Sequence, residues 1–193
     1  MDGPLADTYE AASGFFVEVV QAVPDTAWGS AALGDWTVRE LVGHGNRAHT
    51  TVEEYLLRPQ PPIGPGSDYF SEARINERAR EAVLALGDDP KGAVASTAAR
   101  VTALVRKTSA NATLGSPLRT MTLAEYLPSR IAELTIHGID LTRALGADIA
   151  VPSAAVQQSL RFLADPLVKQ GKGELALLAL SGRAQLPPDF SVY

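Results

Sequence analysis

The chain has 193 residues, a mass of 20.4 kDa and a formal charge of −5, from 17 basic and 22 acidic side chains. With 46% hydrophobic and 20% charged residues it reads as a globular chain with a full core, and the absence of cysteine excludes disulfides, thiolate metal ligands and a cysteine nucleophile. The acidic balance speaks against a nucleic-acid partner, no run of 18 apolar residues offers a membrane span, and the start Met1-Asp2-Gly3 lacks a signal peptide's basic region, so a cytoplasmic protein is expected.

Apolar residues recur mostly at spacings of three and four, the helical period. Leu5, Ala12, Phe15, Phe16, Val19 and Val20 share one side of a first helix over 5–23, closed by Pro24. Thr37-Val38-Arg39-Glu40 is a capping box, with Trp36 and Leu41 at the staple positions. The helix it opens should run to about Leu57, where Arg58-Pro59 stops it. Residues 59–66, rich in Pro and Gly, read as an extended surface loop. Residues 71–86 resume a helical pattern, ended by Gly87. Asp89-Pro90 then caps a helix carrying Val94, Ala98, Val101, Leu104 and Val105. Residues 108–120 are polar and turn-rich.

Thr122 to Glu125 is a second capping box, but Pro128 follows six residues in and predicts a kink or a restart there. From Ser129 the helix should reach Leu145, with Gly146 as terminator. Pro152 and Ser153 open a further helix to about Lys169, residues 174–181 form a short last one, and the tail from Leu186 to Tyr193 is extended. No internal repeat or long linker divides the chain. The reading is one all-α domain over 1–193, a bundle of four long helices with additional short ones.

Three histidines lie on two of these helices. Glu133 and His137 are four residues apart, so their side chains lie about 40° apart and one turn up the same helix face. His44 stands on the other helix. If the two helices are neighbours, two imidazoles and a carboxylate converge in mid-bundle, a donor set suited to zinc, nickel or another divalent transition ion with coordination positions left over. Gly43, Gly45 and Gly138 flank the histidines at a cost of about 1 kcal/mol each in helix propensity, which points to close helix approach or to ligand space. Asp140 lies about 60° round from His137 and is placed to orient it; Arg143 and Arg47 are candidates to meet an anion. His49 lies about 140° from His44 and is expected on the surface. The plainer alternatives are a solvated Glu-x-x-x-His pair, arginines in surface ion pairs, and Asp140 paired with Arg143. No phosphate-binding glycine loop, no His-Glu-x-x-His helix and no nucleophile elbow is present.

Trp36-Thr37-Val38-Arg39-Glu40-Leu41-Val42-Gly43-His44 resembles the entry signature of the actinobacterial DinB-like metalloenzymes, the group that includes mycothiol-dependent maleylpyruvate isomerase. Glu133-Leu134-Thr135-Ile136-His137-Gly138-Ile139-Asp140-Leu141-Thr142-Arg143-Ala144 resembles that family's second signature, and residues 177–192 resemble its C-terminal segment. The resemblance implies an up-down-down-up four-helix bundle with one long crossover, placed over 58–90. It also implies a metal triad at His44, Glu133 and His137. The implied chemistry is that of a low-molecular-weight thiol such as mycothiol. Its sulfur, bound to the metal and lowered in pKa, adds to an electrophilic carbon of a small-molecule substrate, with isomerisation or S-transfer as outcome. The isomerase carries an additional C-terminal domain that gives its site a basic residue. This chain ends at Tyr193 and is expected to lack that domain, which directs the reading to a stand-alone thiol-dependent transferase or isomerase rather than to maleylpyruvate itself. A metal-assisted hydrolase and a non-catalytic metal- or ligand-binding bundle are the competing readings, and a homodimer is compatible with the chain's size.

Overall fold

The computed structural model describes residues 1–64, 67–69 and 71–192. Pro65 and Gly66, the end of the expected 59–66 loop, lie outside the described residues, as do Phe70 and Tyr193, the end of the expected tail. Helices α1 (Pro4–Gln21), α2 (Val38–Leu57), α4 (Pro90–Lys107) and α5 (Leu123–Leu145) form a four-helix bundle. Around it lie α3 (Glu72–Ala85), α6 (Ser153–Lys169) and α7 (Gly173–Leu180). Two antiparallel hairpins, β1 (Ala31–Leu33) with β2 (Trp36–Thr37) and β3 (Thr113–Gly115) with β4 (Thr120–Thr122), each run directly into a bundle helix.

Side-chain pairs fix the helix directions. Ser13 of α1 meets His49 of α2 while Phe16 lies on Gly45, so those two helices run opposite ways. Thr51 meets Tyr126 while His44 meets Glu133, so α2 and α5 are also antiparallel. Asp7 near the start of α1 pairs with Arg106 near the end of α4, at 2.7 Å. The path is therefore up-down-down-up. The two parallel neighbours α2 and α4 are joined by a crossover over 58–89, which carries α3 back along α2. Gln60 N–H donates to the Gly115 carbonyl at 3.0 Å, tying the crossover to the second hairpin.

Local chemistry sets the helix ends. Thr37 and Thr122 each accept the backbone N–H three residues on, and Glu40 and Glu125 return the bond to the cap N–H. Asp89 accepts from Gly92 N–H at 3.0 Å ahead of Pro90. Gly146 ends α5 at φ 62°, a left-handed conformation that suits glycine. Helix α5 runs unbroken through Pro128 and needs no restart. The proline lies near the helix start, where only one carbonyl, that of Ala124, loses its donor. The Ser129 hydroxyl donates to the Tyr126 carbonyl at 2.8 Å beside it.

The core is built from Tyr9, Phe15, Phe16, Val19 and Val20 of α1 against Leu41, Val52, Leu127, Ile131, Leu134 and Leu141. Glycines admit the two phenylalanines. A Cβ on Gly138 would stand 2.3 Å from the Phe15 ring, and one on Gly45 2.6 Å from Phe16. Gly43 faces the backbone of α3, with Val83 N at 3.0 Å from its would-be Cβ. The space beside the histidines thus serves close packing and not a ligand. Gly138→Ala is expected to lower stability by about 1–2 kcal/mol, because overpacking against a buried ring outweighs the gain of about 1 kcal/mol in helix propensity. Urea denaturation checks this, and a more stable variant would contradict it. No helix among the described residues is long and apolar enough to cross a membrane.

Candidate metal centre

The seam between α2 and α5 holds the centre. His44 sits in the second turn of α2, and Glu133 and His137 stand one turn apart on α5. His137 Nε2 lies 3.2 Å and His44 Nε2 3.9 Å from Glu133 Oε2. The two imidazole rings meet edge to face at 5.0 Å. One donor atom from each of the three residues falls within 4.8 Å of the others, and this is the one such group of His, Cys, Asp or Glu among the described residues.

The surroundings orient these donors. Asp140 Oδ2 lies 3.3 Å from His137 Nδ1, so Nδ1–H donates outward and Nε2 is turned toward Glu133. The Trp36 ring packs against His44 at 4.7 Å. Burial, and then the charge of His137, push the His44 pKa down to about 4, so this ring is neutral at pH 7. Burial opposes ionisation of Glu133, but the His137 hydrogen bond and the Arg130 charge prevail and hold its carboxyl well below the usual range. Burial also works against a charge on His137, yet Asp140 and Glu133 together raise it above an ordinary histidine. Protons and cations are therefore both drawn to the place between His137 and Glu133.

The donor set fits a divalent transition ion. His44 makes no hydrogen bond at either ring nitrogen with the described residues, and its Nδ1 is buried without a partner. An imidazole left idle beside an ionised carboxylate is the arrangement a cation would satisfy. His44, Glu133 and His137 would hold it, and three protein donors leave part of a transition ion's coordination sphere to a ligand. Asp140→Asn keeps the side-chain shape and removes the charge that orients His137. It is expected to weaken metal affinity about 10–100-fold, measured by competition with a chelator. An unchanged affinity would show that Asp140 does not act on the ligand.

The centre opens onto a cavity of about 560 Å³. Its walls are largely apolar and aromatic, with Trp36, Tyr55, Tyr126, Ile136 and Leu118, and Arg47, Arg130 and Asp140 also line it. Trp36 thus packs against the core and also faces the cavity.

Two expectations are corrected. Arg143 is exposed and does not line the cavity; it lies beyond His137 in α5, whereas the cavity extends along the seam toward Arg130 and Tyr126. His49 is not on the surface but fully buried. Its Nδ1–H donates to Asn46 Oδ1 at 3.1 Å and its Nε2 accepts from the Ser13 hydroxyl at 2.9 Å. A rotation of 140° from His44 points into the bundle toward α1, because α2 is flanked by α3, α4 and α5 and faces α1 across the core. The Ser13–His49–Asn46 chain copies the order of a nucleophile, a base and an orienter, but none of the three lines the cavity.

The model of the family described as mycothiol maleylpyruvate isomerase N-terminal domain matches residues 9–142. Among solved structures the fold is similar to that of the mycothiol-dependent maleylpyruvate isomerase, with TM-score 0.62 and 19% identity over 86% of this chain and 70% of the other. A mutant of that isomerase gives TM-score 0.59 and 20% identity over the same shares. YfiT from Bacillus subtilis, a protein with an unusual four-helix bundle topology, gives TM-score 0.46 and 21% identity over 75% of this chain and 87% of its own. Comparison with curated proteins gives no match.

Proposed function

The chain belongs to the mycothiol maleylpyruvate isomerase N-terminal domain family, and from that premise we propose that it is a divalent-metal-dependent enzyme that uses a small thiol, such as mycothiol, to transfer sulfur to an electrophilic small molecule or to isomerise it. The observation that carries this reading is the meeting of His44, Glu133 and His137 at the floor of a cavity large enough for a thiol and a substrate together. Zinc is the first choice of ion, since two imidazoles and one carboxylate are a donor set it commonly takes in catalytic sites. When bound, the ion supplies Lewis acidity that holds a thiol in its nucleophilic thiolate form near neutral pH.

The chain's own residues do the remainder. Neutral His44 and ionised Glu133 present lone pairs, and Asp140 holds the Nε2 of His137 toward them, where a bound cation would take the place of its proton. Trp36 packs against His44 and, with Tyr126 further along the cavity wall, limits water beside the reacting groups. The test combines protein purified without chelator, a conjugated enone and a small thiol, with thiol consumption and enone absorbance as readouts. On this reading, turnover needs both the metal and the thiol. Turnover of an ester that needs the metal and ignores the thiol would favour a hydrolase instead. A metal-free protein with no turnover would leave a ligand-binding bundle.

A further inference from the structure

Helix α7 is out of keeping with water around it. Its run Leu175-Ala176-Leu177-Leu178-Ala179-Leu180 is apolar on every side, the pattern of a helix covered all round, yet none of its residues is buried. It packs against α6, which adds to the same surface. Ala155 and Ser159 of α6 are buried toward the bundle. Leu160, Ala164 and Val168 are exposed and stand four residues apart, so they form one ridge of the helix. A Val168 methyl stands 3.0 Å from the place of a Cβ on Gly173, so the ridge leads into the first turn of α7. Leu160 is 61%, Val168 66%, Leu177 69% and Leu180 85% exposed, and most of the exposed large apolar side chains among the described residues fall between Leu160 and Leu186. The chain's own tail does not close this face. Gln170 and Lys172 hold the carbonyls of Val192 and Ser191 at the α6–α7 turn, and the leucines stay open.

Area and charge identify the occupant. Leu160, Val168, Leu177 and Leu180 together expose about 500 Å², near the upper end of the largest apolar patch a monomer carries. Half of a standard interface is about 800 Å², and in homodimers about 65% of it is apolar, so each subunit must supply about 520 Å² of apolar surface. The α6–α7 face meets that requirement. Its charges are arranged for a copy of itself. Arg161 and Asp165 are exposed on one flank of the ridge and form no ion pair among the described residues. With two α6 helices antiparallel across a two-fold axis at Ala164, Leu160 lies beside the partner's Val168. Arg161 then comes within about 3 Å, measured along the helix, of the partner's Asp165. Each contact occurs twice, and the small Ala164 side chain lets the helices approach on the axis. A lipid surface fits less well. The flank carries both signs, with Asp165 between Arg161 and Lys169, and the net charge is −5, whereas helices that lie on membranes present mainly basic residues.

We propose that the α6–α7 face joins two copies of this chain in an isologous dimer, with Ala164 on the two-fold axis, Leu160 and Val168 interlocked, and Leu177 and Leu180 extending the apolar contact. No residue of α6 or α7 lines the cavity, so both metal centres stay open to solvent in the dimer. Helix α6 packs on α5, which carries Glu133 and His137, so the interface braces the outer side of that helix. The dimer is independent of the proposed function and is tested without turnover.

Sedimentation equilibrium of the full chain across a micromolar dilution series reads the assembly directly. The expected mass is twice 20.4 kDa. Val168→Asp and Leu177→Glu each bury a charge in the apolar contact and should weaken the dimer more than about 10-fold. Leu84→Glu, at an exposed position of α3, should leave it unchanged. Far-UV circular dichroism should show native helix in all three, since the side chains replaced are exposed. Arg161→Glu alone and Asp165→Arg alone should each weaken the dimer, and the two together should restore it. The chain has no cysteine, so Ala164→Cys places a single thiol on the axis. Oxidation should link two subunits there, which requires β-carbons about 4 Å apart, whereas Leu84→Cys should give no linked dimer. A monomer at every concentration, or a dimer indifferent to Val168→Asp and Leu177→Glu, would overturn the proposal. Co-sedimentation of a monomer with vesicles of phosphatidylcholine and phosphatidylglycerol, abolished by Leu177→Glu, would overturn it in favour of a membrane. A dimer that neither responds to the charge exchange nor cross-links at Ala164 would overturn the two-fold arrangement.

Discussion

Replacing His44, Glu133 or His137 with alanine is expected to strip the metal from the purified protein, lowering affinity more than about 100-fold in each case, a larger loss than changes to a ligand's hydrogen-bonding neighbours produce. The three side chains line a cavity and are 24%, 23% and 14% exposed, so truncation leaves the surrounding core intact and the variants should fold. Two measurements separate metal loss from misfolding. Elemental analysis reads the ion directly. Thermal denaturation with added zinc reads it by mass action: at about 100 times Kd the ion stabilises the native state by about 2.7 kcal/mol, or roughly 5–10 °C for a chain of this size. The original protein should show that shift and the three variants should not. A variant that keeps both stoichiometric metal and the zinc-induced shift removes its residue from the centre. If all three keep them, the ion sits elsewhere.

What the sequence made legible, and what it did not, follows from the range of the forces involved. The helix ends at Thr37, Asp89, Thr122 and Gly146 came out as read, because a cap is decided by three or four adjacent residues. The four-helix path was legible through the family signatures around His44 and His137. The hairpins were not read. Their strands are two or three residues long, too short for alternation to register, although Gly34-Asp35 is a turn signal at the tip of the first. That omission hid the cavity's direction. Leu33 and Trp36 from the first hairpin, Ser116 to Leu118 from the tip of the second, and Ile75 and Arg78 from α3 wall the seam beyond Arg130. Without them nothing in the sequence told Arg143 from Arg47 as the arginine that reaches the cavity. Gly45 and Gly138 were recognised as space, but what fills it, Phe16 and Phe15, belongs to a helix far away in sequence. Periodicity gives angles within a helix and says nothing about which neighbour stands at each angle, and the position of His49 shows this most clearly.

His49→Ala is expected to lower stability by about 3–5 kcal/mol. Truncation empties a fully buried site and leaves the Ser13 hydroxyl and the Asn46 carbonyl without their partner. His49→Gln loses less, since an amide can still meet one of them, and it separates the acid behaviour from the packing. Burial drives the His49 pKa from the ordinary 6.5 to about 3, so the folded protein keeps this ring neutral where the unfolded chain protonates it. The unfolded state then binds the extra proton between pH 6.5 and about 3. Stability supplied by the neutral ring is complete above pH 6.5 and declines as pH falls through that window, by at most about 1.4 kcal/mol per pH unit. His137, whose pKa is raised, works in the opposite direction and at higher pH, and is common to both proteins being compared. Urea denaturation at pH 7, 6, 5 and 4 should show wild type losing stability faster than His49→Gln, so that their difference narrows on acidification. Metal content at pH 7 should be the same in both, because His49 faces α1 and not the seam. Parallel pH profiles would mean that the ring is protonated inside the fold, with Ser13 Oγ accepting from Nε2–H, and the core polar chain would have to be redrawn with the opposite hydrogen-bond direction at that contact.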